Sequence, residues 1–347
     1  MSGEPGIRRW LGNVGLLLAS VAVVFVLAEA GLRLVRPVQY LKPPTPVPPG
    51  ERRESLYQPS RVPGLSYEMI PNRNGTFEEM QVRTNGLGMR GAEPAPSDTP
   101  GLFRILVLGD SFTFGFGVPE EETYPVVLMR TLNARLPPSA GRYEVLNLGV
   151  VGYTTRDESI QLRHLAPALQ PKGVIIGYVL NDPEIDPRPS LHKYFDRPAW
   201  WRRSHVLRLL HLVGNSLEVW RFGGGDYLRY LHAPGREKWR SVLDALAAIR
   251  DQTAPLGIRV LVVIFPMIPE RDWAGYPYSD LHLQVGEAAA ADGFEVVDLL
   301  EPFSKWEPAR LRVSSGDGHP NALGHRLAAE AIAARWGSPG PPPAIPK

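Results

Sequence analysis

Four short blocks in this chain of 347 residues carry side chains that could perform nucleophilic chemistry. The first is Gly109-Asp110-Ser111-Phe112-Thr113-Phe114-Gly115 and the second is Asn147-Leu148-Gly149-Val150-Val151-Gly152. The third is Gly177-Tyr178-Val179-Leu180-Asn181-Asp182 and the fourth is Ser315-Gly316-Asp317-Gly318-His319-Pro320-Asn321. A serine hydroxyl becomes a useful nucleophile when an imidazole takes its proton, and that imidazole needs an acceptor to fix its tautomer. The oxyanion that develops on an attacked carbonyl needs donors already in place. Ser111 can present its Oγ and its backbone N–H at one point, Gly152 leaves a backbone N–H unobstructed, and Asn181 supplies a side-chain amide. His319 is the candidate base and Asp317 its orienter. Pro320 reads as a first-turn helix proline, which would set His319 at a helix N-terminus, where the dipole favours neutral imidazole. Asp298, at the end of a later apolar run, is a second possible partner for His319, although a structural role suits it better.

Each of these residues also has a plain reading. Ser111 alone would be a helix N-cap, Asn181 a strand-end cap, and one of Gly149 and Gly152 would simply serve a turn. Only the conjunction of blocks lifts the chemical reading above the plain one. Asp110 and Asp182 read as loop-holding carboxylates, and His325 as a partly exposed helix residue. The other histidines form no ligand spacing with carboxylates, so no metal is expected. Gly115-Phe116-Gly117 lacks the third glycine and the acid of a dinucleotide loop, so no cofactor is expected either. There is no cysteine, which removes disulfides, thiolate ligands and thiolate nucleophiles. With 38 basic against 36 acidic side chains, the chain has no charge excess that would point to nucleic acid as a partner.

The elements that must position these blocks follow from hydrophobic periodicity. Strands are predicted at 103–108, 143–148, 174–180, 259–265 and 294–299, and helices near 121–136, 155–169, 236–253, 279–292 and 321–336. Continuous apolar runs mark strands buried on both faces, and their alternation with helices marks a parallel sheet with right-handed crossovers. The predicted fold is a three-layer α/β/α sandwich. In such a sheet, reactive groups collect at the carboxyl ends of the strands, which is where the first three blocks stand.

In this order and on these elements, the four blocks resemble the SGNH (GDSL-like) hydrolase family, matched by Ser111, Gly152, Asn181 and His319 over about residues 100–336. The run Asn85-Gly86-Leu87-Gly88-Met89-Arg90-Gly91, with Arg104 to Ser111 after it, looks like a membrane-attached bacterial subgroup. The resemblance implies a flavodoxin-like five-stranded parallel sheet and a serine esterase or lipase acting through an acyl-serine intermediate. It implies Ser111, His319 and Asp317 as the triad, and Ser111, Gly152 and Asn181 as the oxyanion hole. The departure is at the acid, because most relatives place it three residues before the histidine, where this chain has Gly316. Some O-acetyl-transferring relatives use the shorter spacing. An O-acetyltransferase acting on a polysaccharide outside the cytoplasm is therefore the nearest rival, and a membrane-tethered glycan-binding protein with a spent site is a third reading.

The termini carry their own signals. No charged residue lies between Arg9 and Glu29, and residues 10–28 as a helix would span roughly 28 Å, close to a bilayer's hydrocarbon core. Residues 1–36 are read as a transmembrane anchor in preference to a signal peptide cut after Ala28-Glu29-Ala30, because Glu29 and Arg33 sit in favourable i,i+4 order. Chain order favours a catalytic domain outside the cytoplasm, presented to a glycan or lipid ester. Residues 37–50 read as a Pro-rich linker, 51–99 as an extended segment packed on the main domain, 100–336 as the hydrolase domain, and 337–347 as a Pro-rich tail. Within the domain, 183–232 interrupts the alternation. It holds Tyr194, Phe195, Trp200, Trp201, Trp220, Phe222, Tyr227 and Tyr230 beside Arg202 and Arg203, and reads either as a lid or membrane-interface element over the site or, equally, as an ordinary helical insertion whose aromatics pack on the sheet.

Overall fold

The computed structural model describes residues 4–35, 56–77, 80–137, 141–183 and 203–337. The Pro-rich linker, residues 338–347 of the tail, and Tyr194, Phe195, Trp200, Trp201 and Arg202 lie outside these residues. The chain divides into two compact units, one comprising 1–46 with 197–226, the other 47–196 with 227–347.

The larger unit is built on five parallel strands: β5 (Leu102–Gly109), β6 (Arg142–Asn147), β7 (Gly173–Val179), β8 (Arg259–Phe265) and β9 (Glu295–Asp298), in spatial order β6-β5-β7-β8-β9. Strand residues alternate between two cores. Leu106 and Leu108 of β5 pack with Leu162, Leu246 and Val285. These belong to α4 (Thr155–Leu169), α7 (Glu237–Thr253) and α8 (Ser279–Ala291). Ile105 and Val107 pack on the other face with Leu128, Leu132 and Ile332, from α3 (Tyr124–Ala134) and α10 (Ala322–Trp336). Helices cover both faces of the sheet, and the central strand β7 is buried along its whole length. The architecture is the predicted three-layer α/β/α fold.

Before the sheet come two antiparallel pairs, β1 (Tyr57–Pro59) with β2 (Tyr67–Met69), and β3 (Asn74–Phe77) with β4 (Met80–Arg83). Their aromatic residues form a third core with Phe114, Val150 and Tyr153. Two reciprocal hydrogen bonds tie this layer to the loop after β6: Tyr67 Oη donates to Val151 O at 2.7 Å, and Tyr153 Oη donates to Tyr67 O at 2.6 Å. After β9 come α9 (Leu300–Ser304) and the short pair β10 (Arg312–Ser314) with β11 (Asp317–Pro320).

The smaller unit contains α1 (Glu4–Val35) and α5 (His205–Gly223). Residues Arg9–Val35 of α1 are long and apolar enough to cross a membrane, with a mean hydropathy of 2.4 over the most apolar 18-residue stretch. The segment is thus a signal sequence or an anchor. The remaining short helix, α6 (Tyr227–Leu231), belongs to the larger unit.

Candidate active site

The Gly109–Gly115 block turns directly from β5 into α2 (Ser111–Phe114). Asp110 is its N-cap, its Oδ1 accepting from Phe112 N at 2.9 Å. Ser111 is therefore the first helical residue, and its N–H is one of the donors a helix cannot pair internally. The tight packing needs two glycines. A Cβ on Gly149 would stand 2.2 Å from Phe114 N, and one on Gly177 would stand 2.4 Å from Thr113 Oγ1. The strand tips carrying the first three blocks meet only because nothing projects there.

Ser111 Oγ lies 2.8 Å from His319 Nε2, and His319 Nδ1 lies 2.5 Å from Asp317 Oδ1. The same Asp317 oxygen accepts from His319 N at 2.9 Å. The spacing of two residues works because both stand on β11, where residues i and i+2 face the same side, and an aspartate side chain readily folds back on the N–H two residues ahead. Burial pushes the Asp317 carboxyl up, but the backbone and ring donors of His319 outweigh it, and the group sits below its usual value. The ring of Phe112 lies 5.2 Å from the imidazole and that of Phe116 lies 4.7 Å from it, forming apolar walls around its plane.

Asn181 reaches the same place through Asp110, its Nδ2 donating to Asp110 Oδ2 at 3.3 Å. That carboxylate oxygen lies 3.4 Å from Ser111 Oγ. The hydroxyl has one proton, and the 2.8 Å contact to His319 is the stronger claim on it. Gly152 is not hydrogen-bonded to this line. It stands with φ 79° in the turn after β6, closed by Tyr153 N donating to Val150 O at 3.0 Å. A positive φ at the third position of such a turn favours glycine. The turn is anchored beside the nucleophile by Val150 N donating to Gly109 O at 3.0 Å.

Two expectations change in the structure, those for Pro320 and His325, while Asp298 has the structural role that suited it better. Pro320 does not open a helix: it ends β11, and Asn321 caps α10, its Oδ1 accepting from Leu323 N and Gly324 N. The position of His319 comes from a strand pair. His325 is fully buried rather than partly exposed. Its Nδ1 accepts from Tyr124 N at 3.1 Å, pairing the first N–H of α3, and burial lowers its pKa to about 3. In the alanine-rich α10 there is little polarity contrast to mark the inner face. Asp298 bonds His282 Nδ1 at 2.8 Å and Leu300 N at 2.9 Å, so it is engaged elsewhere than at His319.

Sequence reasoning assigned no role to Arg90. Its Nη1 donates to Phe114 O at 2.7 Å and Gly115 O at 2.8 Å, and its Nη2 to Val118 O at 2.8 Å. It thus collects the carbonyls at the end of α2, beneath which Phe114 lies 4.8 Å from the guanidinium. A single arginine in a polar segment reads as a solvated charge, so only the fold reveals it.

Behind Ser111 lie three fully buried carboxyl groups: Asp110, Glu158 and Asp182. Both oxygens of Glu158 and Oδ1 of Asp182 lack a hydrogen-bond partner among the described residues. Burial, and then their mutual repulsion, pushes the Glu158 and Asp182 carboxyls well above the usual range. An acid with a raised pKa in the folded state stabilises the fold fully below its unfolded pKa of about 4 and loses that contribution as pH rises, at about 1.4 kcal/mol per unit. Glu158→Gln mimics the protonated acid. Its melting temperature is therefore expected to decline less steeply between pH 5 and 8 than that of the unsubstituted protein; parallel curves would refute this.

The model of the GDSL-like Lipase/Acylhydrolase family matches residues 107–327. No curated protein matches the chain. Among solved structures, an acetylxylan esterase from Geobacillus stearothermophilus (Axe2) is 20% identical, with a TM-score of 0.44, covering 68% of this chain and 94% of its own. LAE5, an α/β hydrolase enzyme from the metagenome of Lake Arreo, Spain, is 21% identical, with a TM-score of 0.42, covering 67% and 94%. A two-domain esterase (CEX) active on acetylated mannans is 16% identical, with a TM-score of 0.45, covering 71% of this chain and 52% of its own.

Proposed function

The chain belongs to the GDSL-like lipase/acylhydrolase family, and from that premise we propose that it hydrolyses carboxylic esters through an acyl-serine intermediate. The observation that carries the reading is the continuous line from Ser111 Oγ through His319 to Asp317, at 2.8 and 2.5 Å. His319 Nε2 accepts the Ser111 proton as Oγ attacks the acyl carbon, and returns it to the leaving alcohol. Asp317 keeps the Nδ1–H tautomer and stabilises the imidazolium. The N–H groups of Ser111 and Gly152 and the Asn181 amide receive the oxyanion. A water activated by the same imidazole then releases the acid.

The substrate we favour is a small O-acyl group, acetyl above all, on a glycan or lipid outside the cytoplasm, with α1 retained as a membrane anchor. The test uses the full chain in detergent micelles or vesicles, with a fluorophosphonate probe and a panel of short acyl esters and acetylated oligosaccharides. Labelling of Ser111 together with release of free acid is the expected result. Labelling that persists in Ser111→Ala would remove the assignment. Acyl transfer to an added oligosaccharide in place of water would convert the proposal to a transferase.

A further inference from the structure

Helix α5 is amphipathic in the reverse sense for a helix on a water-soluble surface. Leu209, Leu210, Val213, Leu217 and Trp220 are exposed, by 36% to 73%. At 100° per residue these positions fall within one arc of about 100°. Arg208, by contrast, is buried, and Asn215 Nδ2 lies 3.2 Å from His211 Nε2 on the less exposed side. The apolar stripe faces outward, while Arg208, His211 and Asn215 lie on the less exposed side. An exposed face of leucine, valine and tryptophan on a helix suits burial at the boundary between headgroups and acyl chains.

The N-terminus of α5 is fixed to α1. Glu29 Oε2 accepts from Ser204 Oγ at 2.8 Å and from Val206 N at 3.0 Å, while Oε1 lies 3.2 Å from His205 Nδ1 and 2.8 Å from Arg33 Nε. An anionic group here both pairs an orphan N–H and complements the helix dipole. The clamp joins the exposed face of α5 to a helix whose apolar span is itself wholly unburied. Cleavage after Ala30 would remove Glu29 and leave the start of α5 without it.

We propose that α5 is a second membrane-contacting element, its Leu209–Trp220 face immersed in the lipid of the bilayer interface and its N-terminus held by Glu29 of a retained α1. The proposal rests on the reading of α1 as an anchor. Because the chain has no cysteine, a single introduced cysteine carries a nitroxide label at one defined place. The full chain is reconstituted in phosphatidylcholine–phosphatidylglycerol vesicles as Val213→Cys or Leu217→Cys, with Val24→Cys on α1 and Glu330→Cys on the exposed side of α10 as references. Collision with dissolved oxygen is compared with collision with an aqueous nickel chelate. The ratios at 213 and 217 are expected to lie on the lipid side of that at 330, between it and the deeper position 24. Labels at 213 and 217 that behave like the one at 330, while 24 is in lipid, would overturn the role of α5 and leave the anchor intact. A water-exposed label at 24 would remove the anchor itself, and the proposal with it. Spin–spin broadening at 217 that disappears on dilution with unlabelled chain would assign the face to a second copy instead, and an intact mass lacking residues 1–30 would abolish the clamp.

Discussion

Ser111→Ala is expected to lose ester hydrolysis by about 10⁶-fold in kcat, the scale seen when a triad nucleophile is removed. The fold should survive, because the N-cap of α2 is Asp110 and not the serine. The substitution deletes one hydroxyl whose short contact is to His319, leaving the packing of Phe112 and Phe114 untouched. Melting temperature should therefore stay close to that of the unsubstituted protein while turnover falls to the background left by the oxyanion donors. Steady-state kinetics with a short acyl ester, alongside a thermal melt, separates the two. An alanine variant of comparable rate would mean that another group attacks the ester.

Asp317→Asn is the second large effect, about 10⁴-fold in kcat by the logic of a triad whose orienting carboxylate becomes an amide. The asparagine Oδ1 can still accept the His319 backbone N–H, so β11 should keep its shape. What changes is the imidazole: the amide can donate to Nδ1, stabilising the tautomer that leaves Nε2 protonated and unable to take the serine proton. The carboxyl of Asp317 is held below its usual value by the His319 donors. Its stabilising contribution is therefore present above the unfolded pKa of about 3.9 and is lost only as pH falls through the lower folded value. Asp298→Asn serves as the control and should retain turnover, because Asp298 bonds His282 and the start of α9. If Asp298→Asn were the inactive variant and Asp317→Asn active, the orienter would be reassigned.

The α/β/α fold was legible because its signals are local. Strands β5, β7 and β8 are continuous apolar runs, which require cover on both faces, and α4 and α8 have the helical period that supplies it. The predicted bounds of β8 (259–265) and α4 (155–169) coincide with those observed. The chemical residues were legible for a related reason: serine, asparagine and glycine at successive strand ends mean little alone, but a parallel sheet brings all such ends to one edge.

Other features depend on which side chains meet across distance, and local pattern carries no record of that. The two-residue interval between Asp317 and His319 looked like a departure until β11 put both on one side of a strand. Proline after His319 looked like a helix start, yet it closes a strand pair, because a fixed φ near −65° suits either setting. Arg90, His325 and Glu158 are polar residues in unremarkable surroundings by sequence. Packing makes the first a clasp on α2, the second a cap for α3, and the third an acid whose pKa burial raises. Hydrophobic period and strand-end chemistry thus follow from the order of residues alone. The burial of a particular polar group is fixed by residues distant in the chain, and only the folded molecule decides it.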